Sequence, residues 1–261
     1  MVSNEMYDLG AKSSVIREIF EYGKKRAAEI GRENVFDYSL GNPSVPAPES
    51  VNEAIRELTL SMNSCDLHGY TSAVGDNETR QAIADDLNKR FGTSFSMKNF
   101  YMTAGAAASL CITFRALAEK DDEIIIFAPY FPEYKVFISS SGAKPVEVMC
   151  KADDLQIDLE AFERAITKNT KAVVVNSPNN PSGVVINEKT VKGLCDILRK
   201  NPVTKPVRGK ALGFVYALLC KKAYLTVPLT CVCVTLKAEI LNKNTRVDFC
   251  LGSTFLFTYV N

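Results

Sequence analysis

Apolar positions along this chain recur with two periods that take turns. Ile16, Ile19, Phe20, Ala27 and Ile30 fall on one face of a helix that Ser13-Ser14 can cap. Val51, Ile55 and Leu58 predict a second helix. Asp76 is placed to cap a third, in which Ile83, Leu87 and Phe91 follow at four-residue steps. From residue 100 the period alternates. Strand-like runs at 100–103, 123–127, 145–149 and 171–176 are separated by helical stretches at 106–118, 132–140 and 158–166, with a further helix at 188–200. Short apolar strands with helices between them predict an α/β fold, a mostly parallel sheet flanked by helices.

The rhythm stops at Lys200. Two apolar runs follow, 211–220 and 223–236, interrupted by Lys221-Lys222, and neither reaches the roughly 18 residues of a membrane helix. Charge changes at the same place. Residues 1–200 carry 23 basic and 28 acidic side chains, and residues 201–261 carry 8 and 2. The sequence therefore divides into 1–48 (an N-terminal arm and small-domain segment), 49–200 (the body of the α/β domain) and an atypical tail, 201–261.

A chain of 261 residues with net charge +1 is long enough for one large or two modest domains, and it offers nucleic acid or an anionic membrane little to bind. Eight cysteines without a C-x-x-C pair, beside a single histidine, give no metal-ligand pattern. They read as free thiols of a cytoplasmic protein. The start of the chain lacks the charged-then-apolar pattern of a signal peptide.

Candidate chemistry sits where strands end. Asn176-Ser177-Pro178-Asn179-Asn180-Pro181-Ser182-Gly183 follows the apolar run 172–175, so it lies at a strand's C-terminal edge, where open α/β sheets bind ligands. Its residues are also ordinary turn formers, and Asn180-Pro181 is a candidate cis peptide. Thr103-Ala104-Gly105-Ala106-Ala107-Ala108-Ser109 joins a strand to a helix. Small residues there let the backbone approach an anion at the positive end of the helix dipole, or simply pack tightly. Pro129-Tyr130-Phe131-Pro132-Glu133-Tyr134 puts aromatics at another strand end, as core or as a stacking face. Tyr70 and Gly75 precede Arg80 in a polar segment, and Gly41-Asn42-Pro43 is a turn. His68, the only histidine, reads as a loop residue and leaves no second histidine for a Ser-His-Asp arrangement.

Taken in order, these segments resemble the class I/II aminotransferases of fold type I, which use pyridoxal 5'-phosphate. The run from Asn176 resembles the family's N-P-N-N-P-[ST]-G signature, and the resemblance covers roughly residues 1–200. It implies that the amides of Ala106 and Ala107 contact the cofactor phosphate, that Phe131 stacks on the pyridine ring and that Asn180 holds the phenolic oxygen. It also implies that Tyr70 reaches the phosphate of a partner subunit in a homodimer, and that the Gly41 backbone contacts the substrate carboxylate. The substrates so implied are an amino acid and a 2-oxo acid.

Three parts of the family pattern have no counterpart. The Asp that pairs with the pyridine nitrogen would fall near 211–220, which holds no acid. The Schiff-base lysine would sit in S-x-S-K. Lys237 is nearest in spacing but lacks the serines around it. The arginine that clamps the substrate carboxylate is missing too. The expectation is an aminotransferase by family whose large domain is incomplete at its C-terminal side, inactive as written. The alternatives are a non-catalytic remnant, a C–S lyase on the same fold, or a protein tethered to a membrane by its tail.

Overall fold

The computed structural model describes residues 2–11, 14–39, 46–201, 213–219, 231–237 and 254–260. Its helices are α1 (Asn4–Ala11), α2 (Val15–Ile30), α3 (Glu49–Ser61), α4 (Ser64–His68), α5 (Asn77–Phe91), α6 (Ala106–Leu117), α7 (Glu133–Ser140), α8 (Leu159–Ala165) and α9 (Glu188–Lys200). Its strands are β1 (Phe100–Thr103), β2 (Glu123–Ala128), β3 (Lys144–Met149), β4 (Thr170–Ser177), β5 (Gly213–Leu219), β6 (Cys231–Lys237) and β7 (Thr254–Val260). The chain separates into two units, Met1–Ala47 and Pro48–Asn261.

In the larger unit β2 and β4 set the plan. Every residue of β2 after Glu123 is buried, as is every residue of β4 before Ser177. A strand this apolar has no face to give to water, so both faces must be covered. Successive side chains point to opposite sides. Ile124, Ile126, Ala172 and Val174 accordingly pack with Leu110 and Phe114 of α6 and with Tyr134 and Ile138 of α7. Ile125, Phe127, Val173 and Val175 pack with Phe162 of α8 and with Leu194 and Ile197 of α9. Ile124, Ile125 and Ile126 are each fully buried, and each such side chain contributes about 1.5–3 kcal/mol. An exposed pair such as Lys144–Asp121 (2.8 Å) contributes at most about 1 kcal/mol, so burial decides this architecture.

The sheet order is β1-β6-β5-β7-β4-β2-β3. β2 pairs in parallel with β3 and β4, the arrangement that alternating strands and helices call for. The strands after residue 212 join by antiparallel pairing. β5 lies within the apolar run 211–220 and β6 overlaps the end of the run 223–236, whereas β7, α1 and α4 have no counterpart in the sequence pattern. Four successive antiparallel steps return β1 to the direction of β4. The C-terminal ends of β1, β2 and β4 therefore open on one edge of the sheet.

The smaller unit corrects one expectation. Ser14 occupies the cap position of α2 but makes no side-chain cap hydrogen bond, and α2 has no buried residue. Of its apolar face, Phe20 and Ala27 are half-buried, while Ile16 and Ile19 are 41% and 52% exposed. Periodicity gives a helix its apolar face but does not supply a surface to bury it against.

α5 and the segment before it brace β1. Asp76 caps α5, its Oδ1 accepting from the Thr79 amide and hydroxyl, each at 2.8 Å. Arg80 is buried; its guanidinium donates to the carbonyls of Met97 (3.1 Å) and Phe100 (3.4 Å) and to Asn77 Oδ1. It thus ties the helix to the start of β1. The segment carrying Tyr70 docks on the same strand, because Met102 donates its amide to Val74 O at 3.1 Å. Gly75 has φ +97°, and a Cβ there would overlap the Met102 side chain. Only glycine meets both demands.

Two outcomes follow from these contacts. Gly75→Ala should cost roughly 2 kcal/mol, read as a lower urea midpoint at unchanged slope. The cap hydrogen bonds from Thr79 hold the Asp76 carboxyl below its ordinary value of 3.8, so its contribution is present above that pH and is lost as pH falls below it. Asp76→Ala should cost about 1 kcal/mol at neutral pH, with the gap to the native protein closing in acid. Asp76→Asn keeps the acceptor and should abolish that pH dependence, as thermal melts of the three proteins would show.

Candidate functional site

The first element of the site is the turn from β1 into α6. Gly105 adopts φ +89°, ψ 164°, and the space where a Cβ would stand is open. No side chain caps α6. The first helical hydrogen bond runs from the Ser109 amide to Gly105 O at 3.3 Å, so the amides of Ala106, Ala107 and Ala108 have no acceptor within the helix. Ala106 is half-buried and Ala107 exposed. Beneath the turn, the buried hydroxyls of Thr103 and Ser109 lie 2.5 Å apart, and Thr103 donates to Gly105 O at 3.2 Å. This pair stiffens the turn from behind. The T-x-G-x-x-x-S spacing was its only signal in the sequence.

The second element leaves β2. Phe131 is half-buried and meets Tyr134 edge to face, with centroids 5.6 Å apart at 79°. Tyr130 stacks on the same Tyr134 at 6.4 Å and 19°. The Tyr130 hydroxyl donates to Glu147 Oε2 at 2.6 Å, and Lys135 Nζ lies 2.7 Å from Glu147 Oε1. The hydrogen bond from Lys135 lowers the Glu147 carboxyl, and the reciprocal bond pushes Lys135 up to about 12. Burial pushes the Tyr134 phenol upward, against the hydrogen bond it receives from Asn176. Tyr134 therefore stays neutral and acts as a prop for both rings.

The third element leaves β4. Ser177-Pro178 and Asn180-Pro181 are both cis, the second as expected from the sequence, and Ala128-Pro129 in the facing loop is cis as well. Asn180 is exposed, and its amide has no partner among the described residues. Asn176 is buried, and its Oδ1 has no hydrogen-bond partner. Asn179 faces inward instead. Its Nδ2 donates to Pro129 O and to Ser182 Oγ, each at 2.8 Å. The family resemblance singles out Asn180, but no signal in the sequence pointed to the hydrogen bonds of Asn179. A space of about 20 Å³ between the two loops is lined, among the described residues, by Tyr130, Tyr134, Asn176, Asn179 and Val184 and by further apolar side chains.

The three elements share one core. Leu110 and Phe114 of α6 pack with Tyr134 and Val174, and Phe131 lies against the same cluster. The helix that starts at β1 thus lies over β2 and β4. Tyr70 is fully exposed and touches none of this. His68 ends α4 rather than sitting in a loop. Gly41 lies outside the described residues. Lys237 is the last residue of β6, and its side chain is likewise outside them. Among the described residues there is no metal-ligand cluster and no helix long and apolar enough to cross a membrane.

An uncapped helix N-terminus over an open glycine turn suits a phosphate dianion. A propped aromatic face suits a planar ring, and a buried acceptor without a partner marks a place where protein pairing stops. These residues fit pyridoxal 5'-phosphate. Residues 33–204 match the family described as aminotransferase class I and II. The chain is 34% identical over 175 residues to a probable aspartate/prephenate aminotransferase of Thermus aquaticus, a match covering 66% of this chain and 45% of that protein. It is 32% identical over 188 residues to an aspartate aminotransferase of Pyrococcus horikoshii, covering 71% and 45%. Among solved structures, an amino transferase of Eubacterium rectale superposes with TM-score 0.74 at 56% identity, covering 79% of this chain and 53% of that one. The chain spans less than half the length of these two curated relatives. With the family match extending over most of the described sequence, and with the fold and strand-end motifs in agreement, the chain belongs to the class I and II aminotransferases, pyridoxal-phosphate-dependent transferases of fold type I.

Proposed function

We propose that this chain carries the cofactor-gripping part of an aminotransferase and binds pyridoxal 5'-phosphate without covalent attachment. The observation that supports it is the opening of the β1, β2 and β4 ends on one sheet edge, with an uncapped α6 over a positive-φ glycine. The amides of Ala106 and Ala107 would hold the phosphate, Phe131 the ring face and Asn180 the phenolic edge. When bound, the cofactor supplies the aldehyde and electron-withdrawing ring by which an amino group passes between an amino acid and a 2-oxo acid. The protein's part here is to bind and orient. Turnover needs a lysine amine and an acid at the pyridine nitrogen, and the sequence offers no S-x-S-K segment and no acid within 211–220. Catalysis by these residues alone is therefore not part of the proposal.

Full exposure of Tyr70, together with the exposed apolar residues of α2, supports a homodimer in which Tyr70 serves the other copy's phosphate. The free thiols of Cys65, Cys111 and Cys150 support a cytoplasmic location.

Titration of the purified protein with pyridoxal 5'-phosphate, followed by absorbance, tests the reading. Saturable binding is expected. Borohydride treatment and peptide mapping should then show no modified lysine, and a phosphopyridoxyl-lysine peptide would overturn the non-covalent reading. Asn180→Ala should weaken binding about tenfold, the loss of one hydrogen bond to a charged oxygen. Ala107→Asp, which sets a carboxylate against the phosphate, should weaken it more.

A further inference from the structure

The aromatic of the ring face and the amide of the ring edge stand on loops from different strands, and one side chain joins those loops. We propose that Asn179 is a positioning residue that sets the spacing between Phe131 and Asn180, a role that rests on the cofactor reading above. Its root is immobilised, because the Asn179 amide donates to Val184 O at 2.8 Å and its carbonyl accepts from the Gly183 amide at 2.7 Å. Its tip crosses to the other loop, where Nδ2 donates to Pro129 O at 2.8 Å over a sequence separation of 50. The second hydrogen of the same Nδ2 goes to Ser182 Oγ at 2.8 Å. Both amide hydrogens are thus used within the protein, and neither is left for a ligand.

Position in the chain gives the strut its effect. Asn180 is the next residue after Asn179, and Phe131 lies two residues after the Pro129 carbonyl. From the opposite flank, Glu147 of β3 accepts from the Tyr130 hydroxyl at 2.6 Å. The segment bearing Phe131 is therefore held on both sides, by a carboxylate on β3 and by the Asn179 amide beyond β4. The phosphate turn at Gly105–Ala107 has its own brace in Thr103 and Ser109 and does not depend on this strut. A carboxamide is required. An aspartate has the same shape but no donor, and it would set a negative oxygen against the Pro129 carbonyl.

The test compares the native chain with Asn179→Asp and Asn179→Ala, using pyridoxal 5'-phosphate and inorganic phosphate as separate probes. For both variants, pyridoxal 5'-phosphate should bind about tenfold more weakly while inorganic phosphate changes by less than about twofold. Amide hydrogen exchange, measured without any ligand, should rise together in residues 130–134 and 179–186 and stay unchanged in 103–110. Equal weakening of both probes, unchanged pyridoxal 5'-phosphate affinity, or faster exchange confined to 179–186 would each overturn the strut. Failure of the native chain to bind pyridoxal 5'-phosphate would overturn the cofactor reading, and the positioning role with it, whatever the exchange shows. Asn179→Ala removes both donors without adding charge, so it carries the test by itself where the carboxylate prevents folding.

Discussion

Everything in the larger unit depends on the double-sided burial of β2 and β4. Five consecutive buried residues in β2, Ile124–Ala128, and seven in β4, Thr170–Asn176, cannot be half-solvated, so helices must cover both faces of the sheet. α6 and α7 take one face, and α8 and α9 the other. Strands connected this way run parallel, and their C-terminal ends gather on one edge. Polar loops follow because the chain must leave the core there. The candidate site is thus a consequence of core formation, placed at the edge where the connections part to the two faces.

Polar groups drawn into that core must find partners, since burying an unpaired amide or hydroxyl costs about 1–3 kcal/mol on mutational scales. Thr103 and Ser109 satisfy each other, and the hydroxyl of Tyr134 is paired with Asn176. Asn179 spends its amide on two loops. The pairing fails at Asn176 Oδ1, on the sheet edge, and gives way to exposed groups at Asn180 and Ala107. A rigid, satisfied layer below an unsatisfied rim is what a binding site needs, because the rim is held in place by groups that the ligand never touches.

Much of this was legible in the sequence, for identifiable reasons. Strands at 100–103, 123–127, 145–149 and 171–176, and the helices between them, were set by local period and by caps such as Asp76, and they appear within a residue or two of the expected bounds. Ala106, Ala107, Phe131 and Asn180 were named through the resemblance of strand-end segments to the motifs of the class I/II aminotransferases, since the residues alone read equally well as turns or core. Local pattern was silent on contacts between distant segments. It identified Arg80 but not the carbonyls that Arg80 holds, and it marked Gly75 without the Met102 side chain that excludes a Cβ. It gave α2 an apolar face that the structure leaves largely open. The tail offered apolar runs without period, so its strands and their antiparallel pairing could not be read from it.

What the sequence by itself determined is the α/β class, the order of elements through residue 200 and the residue types offered at each strand end. All of these follow from spacing along a single stretch of backbone. Tertiary structure alone decided where the Asn179 side chain is anchored, which tyrosine becomes the prop for Phe131, and where a buried acceptor is left without a partner. Those choices depend on hydrogen bonds and ring contacts between groups brought together only when the sheet closes, such as Asn179 and Pro129, and no local spacing encodes them.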